Sequence, residues 1–205
     1  LGAGFMPQML ASVACQPGPE PMIDPAILAT FRGLLSEAKA SEDPEPTAMT
    51  LATVDAQGQP SARTVLLKGA DERGFVFYTN FDSRKGVQLL HEPRCALLFH
   101  WKWLRDGVQV NVQGSASQVS DDEADAYFAT RPRGSQAGAW ASLQSQTLDS
   151  RKTLEDRLAE VEARYAGGTI PRPAHWSGFR VEPTRIEFWY GARHRLHSRH
   201  VHELV

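Results

Sequence analysis

One short stretch of the sequence, residues 61–85, contains Arg63, Lys68, Arg84 and Lys85, besides Arg73 in the turn between two β-rich runs. Arg84 and Lys85 follow Asp82 and Ser83, either of which can cap a helix by accepting a hydrogen bond from its first turn. A helix N-terminus presents free N–H groups that attract anions, and neighbouring cations strengthen that attraction. The pattern therefore predicts a site for a phosphate-bearing ligand, although Arg84 and Lys85 would also suit an exposed helix face.

The positions of Arg63 and Lys68 on the predicted strands bear on whether their side chains point to the same face. Two β-rich runs flank residues 70–73, and this spacing predicts a hairpin. Arg63 and Lys68 are an odd number of positions apart, so on one regular strand they would point to opposite faces. Either a bulge interrupts the strand, or the two side chains serve different ligands.

A second basic group lies near the C-terminal end and contains four histidines: His194, His197, His200 and His202. Their spacing could gather three of them for a metal, but the interleaved Arg193, Arg195 and Arg199 would repel a divalent cation, so we expect no metal site. Arg195 and His197 instead predict a fixed cation and a titratable imidazole on one face of an extended segment, suited to an anionic or electron-rich ring. A histidine bonded to a backbone carbonyl at a strand end is the alternative.

The composition bounds the class of protein. A chain of 205 residues can bury a sizeable core, and its net charge of −2 argues against a general binder of nucleic acid or of membrane surfaces. Cys15 and Cys95 have no metal or redox spacing, which favours a reducing compartment, and no apolar run reaches membrane-spanning length. We therefore expect a cytoplasmic protein.

The domain organisation follows from local patterns. Residues 1–23 are rich in Pro and Gly and have no period, so we expect a flexible arm ahead of a single domain of residues 24–205. Capping residues predict helices after Asp24, after Ser120 and after Asp149 or Ser150. Residues 131–136, Arg-Pro-Arg-Gly-Ser-Gln, predict a basic turn.

Short apolar runs predict strands at residues 49–54, 95–101, 179–181 and 185–189. The run 95–101 is continuously apolar, which predicts burial on both faces. Valines at 108, 110 and 112 alternate with Gln109, Asn111 and Gln113, a pattern typical of a strand with one core face and one amide-lined face. Many short strands with interspersed helices favour a mainly β fold with α additions, an antiparallel barrel rather than a doubly wound sheet.

Several motifs recur in the same order in a known flavoprotein family: Arg63-Thr-Val-Leu-Leu-Lys68, Tyr78-Thr79, Ser83-Arg84-Lys85, Arg131-Pro-Arg-Gly-Ser-Gln136, Gly138-Ala-Trp140, Gln144-Ser145, Ile186-Glu-Phe-Trp189 and Arg195-Leu-His197. Over residues 48–199 the chain resembles the pyridoxine/pyridoxamine 5′-phosphate oxidase family. The resemblance implies an antiparallel FMN-binding split barrel of Greek-key type. It also implies a homodimer with FMN held between the subunits.

The resemblance implies two sets of site residues. The flavin set consists of Arg63, Thr64, Val65, Leu66, Leu67, Lys68, Tyr78, Thr79, Arg84, Lys85, Gln109, Gln144, Ser145, Trp189 and Arg199. The substrate set consists of Lys68, Tyr127, Arg131, Ser135, Arg195 and His197, of which the first four would hold a phosphate. Arg195 and His197 would face the substrate ring as the catalytic pair. Gln109 matches the family's glutamine only if two extra residues precede it, in the loop of residues 101–107.

The implied activity is oxidation of pyridoxine 5′-phosphate or pyridoxamine 5′-phosphate to pyridoxal 5′-phosphate, with O2 as acceptor and H2O2 as product. One alternative is an oxidase of the same fold acting on another reduced ring, such as a phenazine precursor. The complete phosphate motif, residues 131–135, argues against it. A non-catalytic protein that binds flavin or pyridoxal phosphate is the second alternative, and it stays open because binding residues are shared.

Overall fold

A computed structural model describes residues 23–204. The predicted flexible arm lies outside the described residues except for Ile23, and so does Cys15. Ile23 is buried, and its N–H donates to the carbonyl of Glu72 at 2.7 Å, so this last residue of the predicted arm belongs to the packed domain.

Within residues 23–204 the chain forms five α-helices and eight strands, in the order α1 (Pro25–Ala40), β1 (Ala48–Val54), β2 (Pro60–Leu66), β3 (Gly69–Asp71), β4 (Gly74–Asn80), α2 (Arg84–His91), β5 (Arg94–Trp101), β6 (Val108–Gln118), α3 (Asp121–Thr130), α4 (Arg133–Ala141), α5 (Arg151–Arg164), β7 (Trp176–Tyr190) and β8 (Ser198–Glu203). The predicted caps are confirmed: Asp24, Ser120 and Ser150 each accept a hydrogen bond from the first turn of their helix. No helix in this range is both long and apolar enough to cross a bilayer.

The strands form one antiparallel sheet in the order β2-β1-β5-β6-β7-β4-β3, with β8 paired to the second half of β7. Its two edge strands, β2 and β3, are consecutive in the chain and are joined by Leu67 and Lys68 alone. The N–H of Leu67 donates to Thr47 and that of Lys68 to Val76, so this link contacts both edges. Because two residues cannot span a flat sheet, the sheet must curl into a barrel. The predicted antiparallel barrel with helical additions is confirmed.

The barrel core is closed by α1. Phe31 of this helix is fully buried, and its ring lies 4.9 Å from Phe75 and 5.1 Å from Phe99, both in edge-on contact. Edge-on aromatic pairs of this kind stabilise a core by about 0.5–1.5 kcal/mol beyond the burial of their area. The helix therefore fixes the strands around which the functional residues are arranged.

A smaller apolar cluster lies outside the barrel, where α3, α4 and α5 meet the start of β7. Its buried members are Phe128, Ala137, Ala139, Ile170 and Trp176. The predicted apolar face of α5, which includes Leu158, packs against this cluster but stays only partly buried. The cluster supports the two helix ends that face the cavity described below.

Three strand predictions need correction. The hairpin holds for β3 and β4, but Arg63 lies on β2, which pairs with β1. Residues 179–181 and 185–189 belong to the single strand β7, in which a bulge at Thr184 accommodates Pro183, a residue without an N–H to donate. Strand β5 buries Leu97, Phe99 and Trp101 on one face, while its other face is only partly covered in a single chain.

Candidate functional site

A cavity of about 670 Å³ lies between the strand ends of the barrel and the helices α2, α3 and α4. It brings together much of the predicted flavin set: Thr64, Val65, Leu66, Lys68, Tyr78, Thr79, Lys85 and Gln144. It also brings together all four predicted phosphate residues of the substrate set: Lys68, Tyr127, Arg131 and Ser135. Side chains that are far apart in the sequence, from Thr64 to Trp176, therefore line one cavity.

One end of the cavity is formed by the N-terminus of α2. Ser83, rather than Asp82, caps the helix: its Oγ accepts from the N–H of Gly86 at 3.3 Å and donates to the carbonyl of Asn80 at 2.6 Å. A Cβ at Gly86 would lie only 2.4 Å from the carbonyl oxygen of Phe81, so glycine is required for this tight approach. The first turn of α2 is therefore held against the end of β4, as an anion-binding helix terminus requires.

Lys85 joins this helix terminus to the loop after α4. Its Nζ donates to Gln144 Oε1 at 2.6 Å, and the backbone N–H of Arg84 donates to Ser145 Oγ at 3.1 Å. Burial, and then the positive charge of Arg63, lower the pKa of Lys85 to about 8. A cation that is desolvated beside another cation indicates a place where an anion would be stabilised.

Arg63 lies behind the cavity rather than on its surface. Its Nη1 donates to Leu51 O and Thr53 Oγ1, and its Nη2 donates to Ser61 Oγ and Gln88 Oε1. Burial and the charge of Arg84 lower its pKa. The opposite directions expected for Arg63 and Lys68 are thereby explained, because the two residues do not share a strand. Strand β2 ends at Leu66, and the exposed Lys68 lies on the link to β3, where it lines the cavity.

The other end of the cavity is aromatic. Tyr78 stacks on Tyr127 with ring centroids 4.0 Å apart and on Trp176 at 5.3 Å. Burial and the charge of Glu123 raise the pKa of Tyr78 to about 12, so its hydroxyl stays a hydrogen-bond donor. Gly178 makes room for this ring, since a Cβ there would lie 2.8 Å from it.

Arg131 follows the end of α3 and faces the aromatic cluster. Its Cζ lies 4.6 Å from the centroid of Trp176 and 5.6 Å from that of Phe128. Its Nη1 is buried and has no hydrogen-bond partner among residues 23–204. Burial lowers the pKa of this guanidinium. A buried donor without an acceptor is costly, so the arrangement favours a bound anion.

Ser135 lies in the first turn of α4. The predicted basic turn is wrong beyond Pro132, because the chain becomes helical at Arg133. Pro132 suits the entry to a helix, since its fixed φ and missing N–H cost nothing there. Arg133 points away from the cavity and donates to the carbonyls of Tyr165 and Gly168 at the end of α5. Ser135 thus lies at a second helix N-terminus, beside Arg131.

The remaining predicted residues form a separate group at the far end of β6, β7 and β8: Gln109, Trp189, Arg195, His197 and Arg199. Gln109 pairs with Trp189, and Trp189 pairs with Arg199. The His197 ring lies 4.6 Å from that of Trp189, and its Nδ1 accepts from the N–H of Ala192 at 3.0 Å. None of the five lines the cavity of the same chain.

The segment that carries Arg195 and His197 is not extended as predicted. Residues 193–195 form a 3₁₀ turn in which His194 and Arg195 have φ values of 57° and 62°. The left-handed backbone turns the chain from β7 into β8. The loop of residues 101–107 lies close by, because the N–H of Gly191 donates to the carbonyl of Gly107 at 2.7 Å.

Sequence reasoning missed Trp176, which lines the cavity at the start of β7. Its position opposite Tyr78 depends on the pairing of β4 with β7, strands that are far apart in the chain. An aromatic residue at the start of a long strand was the sole local signal.

Comparison with known proteins adds the family context. The model of the pyridoxamine 5′-phosphate oxidase family matches residues 35–165, and that of the pyridoxine 5′-phosphate oxidase C-terminal dimerisation region matches residues 176–204. A pyridoxine/pyridoxamine 5′-phosphate oxidase of Xanthomonas euvesicatoria is 58% identical over 173 residues, which are 84% of this chain and 87% of that one. One from Agrobacterium fabrum is 57% identical over 171 residues, 83% of this chain and 82% of the relative.

Among solved structures, PhzG from Burkholderia lata, in complex with tetrahydrophenazine-1-carboxylic acid, matches with a TM-score of 0.77 and 31% identity. The match covers 90% of this chain and 87% of PhzG. An FMN-binding protein of Nostoc punctiforme, related to pyridoxamine 5′-phosphate oxidase, matches with a TM-score of 0.64 at 14% identity and so shares the fold.

Proposed function

The chain belongs to the pyridoxamine 5′-phosphate oxidase family, and we propose that it is an FMN-dependent oxidase of pyridoxine 5′-phosphate or pyridoxamine 5′-phosphate. The product would be pyridoxal 5′-phosphate, with O2 as electron acceptor and H2O2 as second product.

The observation that carries this proposal is the buried, unpartnered Nη1 of Arg131. Lys68, Tyr127 and Ser135 line the same cavity, so a phosphate there could accept hydrogen bonds from several side chains and from the N-terminus of α4. A guanidinium presents its donors in a planar fork that fits phosphate geometry. A substrate phosphate would therefore satisfy the donor that the protein leaves free.

The residues at the other end of the cavity fit the phosphate of FMN. Arg84 and Lys85 begin α2, and Gln144 and Ser145 close over that helix terminus. A phosphorylated cofactor and a phosphorylated substrate together require two anion sites, and this one lies at the opposite end of the cavity from Arg131. The cavity volume is within the range of ligand pockets. When bound, FMN would supply the hydride acceptance and the reaction with O2 that side chains cannot.

We assign the second residue group to the neighbouring subunit's site. Gln109, Trp189, Arg195, His197 and Arg199 lie in or beside the part of the chain that matches the family's dimerisation region, and none lines the cavity of its own chain. In a homodimer, Arg195 and His197 would then face a substrate ring whose phosphate is held by the other subunit. Because His197 Nδ1 accepts from Ala192, a proton on this ring is directed to Nε2, where it can contact the substrate.

A phenazine-precursor oxidase is the competing function, since PhzG shares the fold at 31% identity. The identities of 57–58% to pyridoxine/pyridoxamine 5′-phosphate oxidases favour the B6 substrates. The unpartnered Arg131 could also accept a carboxylate, so the two functions must be separated by substrate.

The experiment is a peroxide assay on the purified protein with FMN, using pyridoxamine 5′-phosphate, pyridoxine 5′-phosphate and phosphate-free pyridoxamine. We expect flavin absorption, peroxide with both phosphorylated substrates and a much higher KM without the phosphate. Flavin binding without peroxide from any of them would favour the non-catalytic alternative. Equal activity with and without the phosphate would contradict the role of Arg131.

A further inference from the structure

Trp176 contacts both Tyr78 and Arg131 at the end of the cavity assigned to the substrate. Its side chain is almost completely buried, and its indole lies nearly parallel to Tyr78, at an interplanar angle of 7°. The indole also contacts the ring of Phe128 edge-on and the guanidinium of Arg131 face-on. One ring therefore touches residues from β4, from α3 and from the segment that follows α3.

The orientation of Arg131 depends on aromatic contacts. No carboxylate forms a salt bridge with it within the described part of the chain, and its Nη1 has no hydrogen-bond partner there. Its close neighbours are the rings of Trp176 and Phe128. A guanidinium stacked on an aromatic face keeps its N–H edges free, because the ring contacts the flat π-surface rather than the donors.

We propose that Trp176 is a positioning residue for substrate phosphate: it fixes the plane of the guanidinium of Arg131, a residue that lines the cavity, by holding it against the indole. The inference rests on the proposed function, because it assigns the anion at Arg131 to the substrate. Trp176 also lies nearly parallel to Tyr127, a second predicted phosphate residue, with ring centroids 6.2 Å apart.

Arg172 holds Trp176 in place. Its Nη1 donates to the carbonyl of Trp176 at 2.9 Å, while its Nη2 and Nε donate to Asp121 and Asp125 on α3. The same helix leads directly to Arg131. The Arg172 side chain is mostly buried, whereas both carboxylates are exposed and therefore screened by solvent, so these pairs matter mainly because they join the start of β7 to the helix that presents Arg131. A contact outside the cavity thereby holds the backbone of Trp176 close to α3.

The test compares Trp176→Leu, which removes the aromatic face, with Trp176→Phe, which keeps a smaller one. Trp140→Leu is the matched control, because Trp140 packs in the same cluster and lies beside an arginine, Arg164, without lining the cavity. Arg131→Ala defines how much phosphate binding depends on Arg131. Each protein is saturated with FMN and titrated with inorganic phosphate, and its kinetics are measured with pyridoxamine 5′-phosphate and with pyridoxamine.

Loss of the cation–π contact should weaken the Arg131-dependent phosphate binding roughly three- to thirtyfold in Trp176→Leu. KM for pyridoxamine 5′-phosphate should rise by the same factor, whereas kcat, the reaction of phosphate-free pyridoxamine and the FMN content should stay unchanged. Trp176→Phe should recover most of the affinity, and Trp140→Leu should keep all of it. Adding Trp176→Leu to Arg131→Ala should cause no further loss, since the two residues would act through one contact.

The assignment of Trp176 would be overturned by a phosphate affinity in Trp176→Leu equal to that of the unmodified protein, or by equal losses with both substrates. A fall in FMN content would equally count against it, because a general packing defect would then explain the loss. If Arg131→Ala itself leaves phosphate binding unchanged, the proposed substrate site fails instead.

Discussion

Lys85 Nζ lies 2.6 Å from Gln144 Oε1, and this contact joins the first turn of α2 to the loop that follows α4. The two residues are far apart in the sequence, yet both were predicted to hold the flavin. The ammonium also donates to Ser83 Oγ, the helix cap, at 3.2 Å. The helix terminus, its cap and the loop thus form one unit, to which we assign the flavin phosphate.

Replacing Arg84 and Lys85 together by Ala should remove most of the bound FMN. Each lost charge-assisted hydrogen bond costs about 1.5–3 kcal/mol, or roughly one to two decades in affinity. The measurement is FMN per subunit, read from absorbance after denaturation. Excess FMN should restore part of the peroxide-forming activity. Retention of stoichiometric FMN by the double variant would show that this helix terminus is not the flavin phosphate site.

Flavin affinity should fall as pH rises through about 8. Burial, followed by the charge of Arg63, lowers the pKa of Lys85 to about 8, so the cation is present below this pH and is lost above it. A bound phosphate stabilises the protonated form, and linkage therefore favours binding on the acid side. Lys85→Arg keeps its charge throughout and should bind FMN with a flat profile over this range. A flat profile for the unmodified protein would contradict the assignment of Lys85.

Replacing Arg131 by Ala should leave the protein yellow and weaken substrate binding. The guanidinium lies at the end of the cavity away from α2, so its loss should raise KM for pyridoxamine 5′-phosphate by about one to two decades. Arg151→Ala is the control, because Arg151 is exposed on α5 and pairs with Glu155. If Arg131→Ala loses FMN while the variant without Arg84 and Lys85 keeps it, the two phosphate sites have been exchanged.

His197→Asn should keep both flavin and substrate affinity and lose turnover. The His197 ring packs against Trp189 and receives a hydrogen bond from Ala192 at Nδ1, which leaves Nε2 free to face a ligand. An asparagine can keep one of these polar contacts but cannot reproduce the ring. A decrease in kcat at unchanged KM and FMN content is the expected result. A loss of colour would instead place this residue in the flavin site.

Local interactions explain which parts of this fold were predictable. The caps at Asp24, Ser83, Ser120 and Ser150 each involve a residue and the turn that follows it, so their sequence signals were sufficient. The break between β2 and β3 was not predictable in this way, because it depends on Leu67 bonding to Thr47 and Lys68 bonding to Val76 across the closed sheet.

The same distinction applies to the site. Arg131 and Ser135 were placed together from a continuous motif, and the cavity contains both. The place of Trp176 beside Arg131 is set by strand pairing and by Arg172, neither of which leaves a local pattern. The turn at Arg195 requires left-handed backbone at two residues that are not glycine, against their intrinsic preference.

The division of site residues between subunits can be tested by mixing two impaired variants and assaying them at a substrate concentration well below the KM of Arg131→Ala. Arg131→Ala damages the cavity group, and Arg195→Ala damages the C-terminal group, which does not line the cavity of its own chain. If each active site combines the cavity of one subunit with Arg195 of the other, a mixed dimer has one site with both defects and one intact site. Unfolding and refolding the variants together should therefore restore activity, to about a quarter of the unmodified value for random pairing in a two-fold dimer.

Refolding each variant alone controls for recovery of activity that does not involve exchange of subunits, and the activity of each should stay unchanged. A second control mixes Arg131→Ala with Ser135→Ala. Both residues lie in the same cavity, so every site of that mixed dimer keeps one defect and activity should stay low. If Arg131→Ala and Arg195→Ala also fail to complement although mixed dimers form, the two groups serve the same subunit. The C-terminal strand would then have to reach its own cavity by a rearrangement of β8.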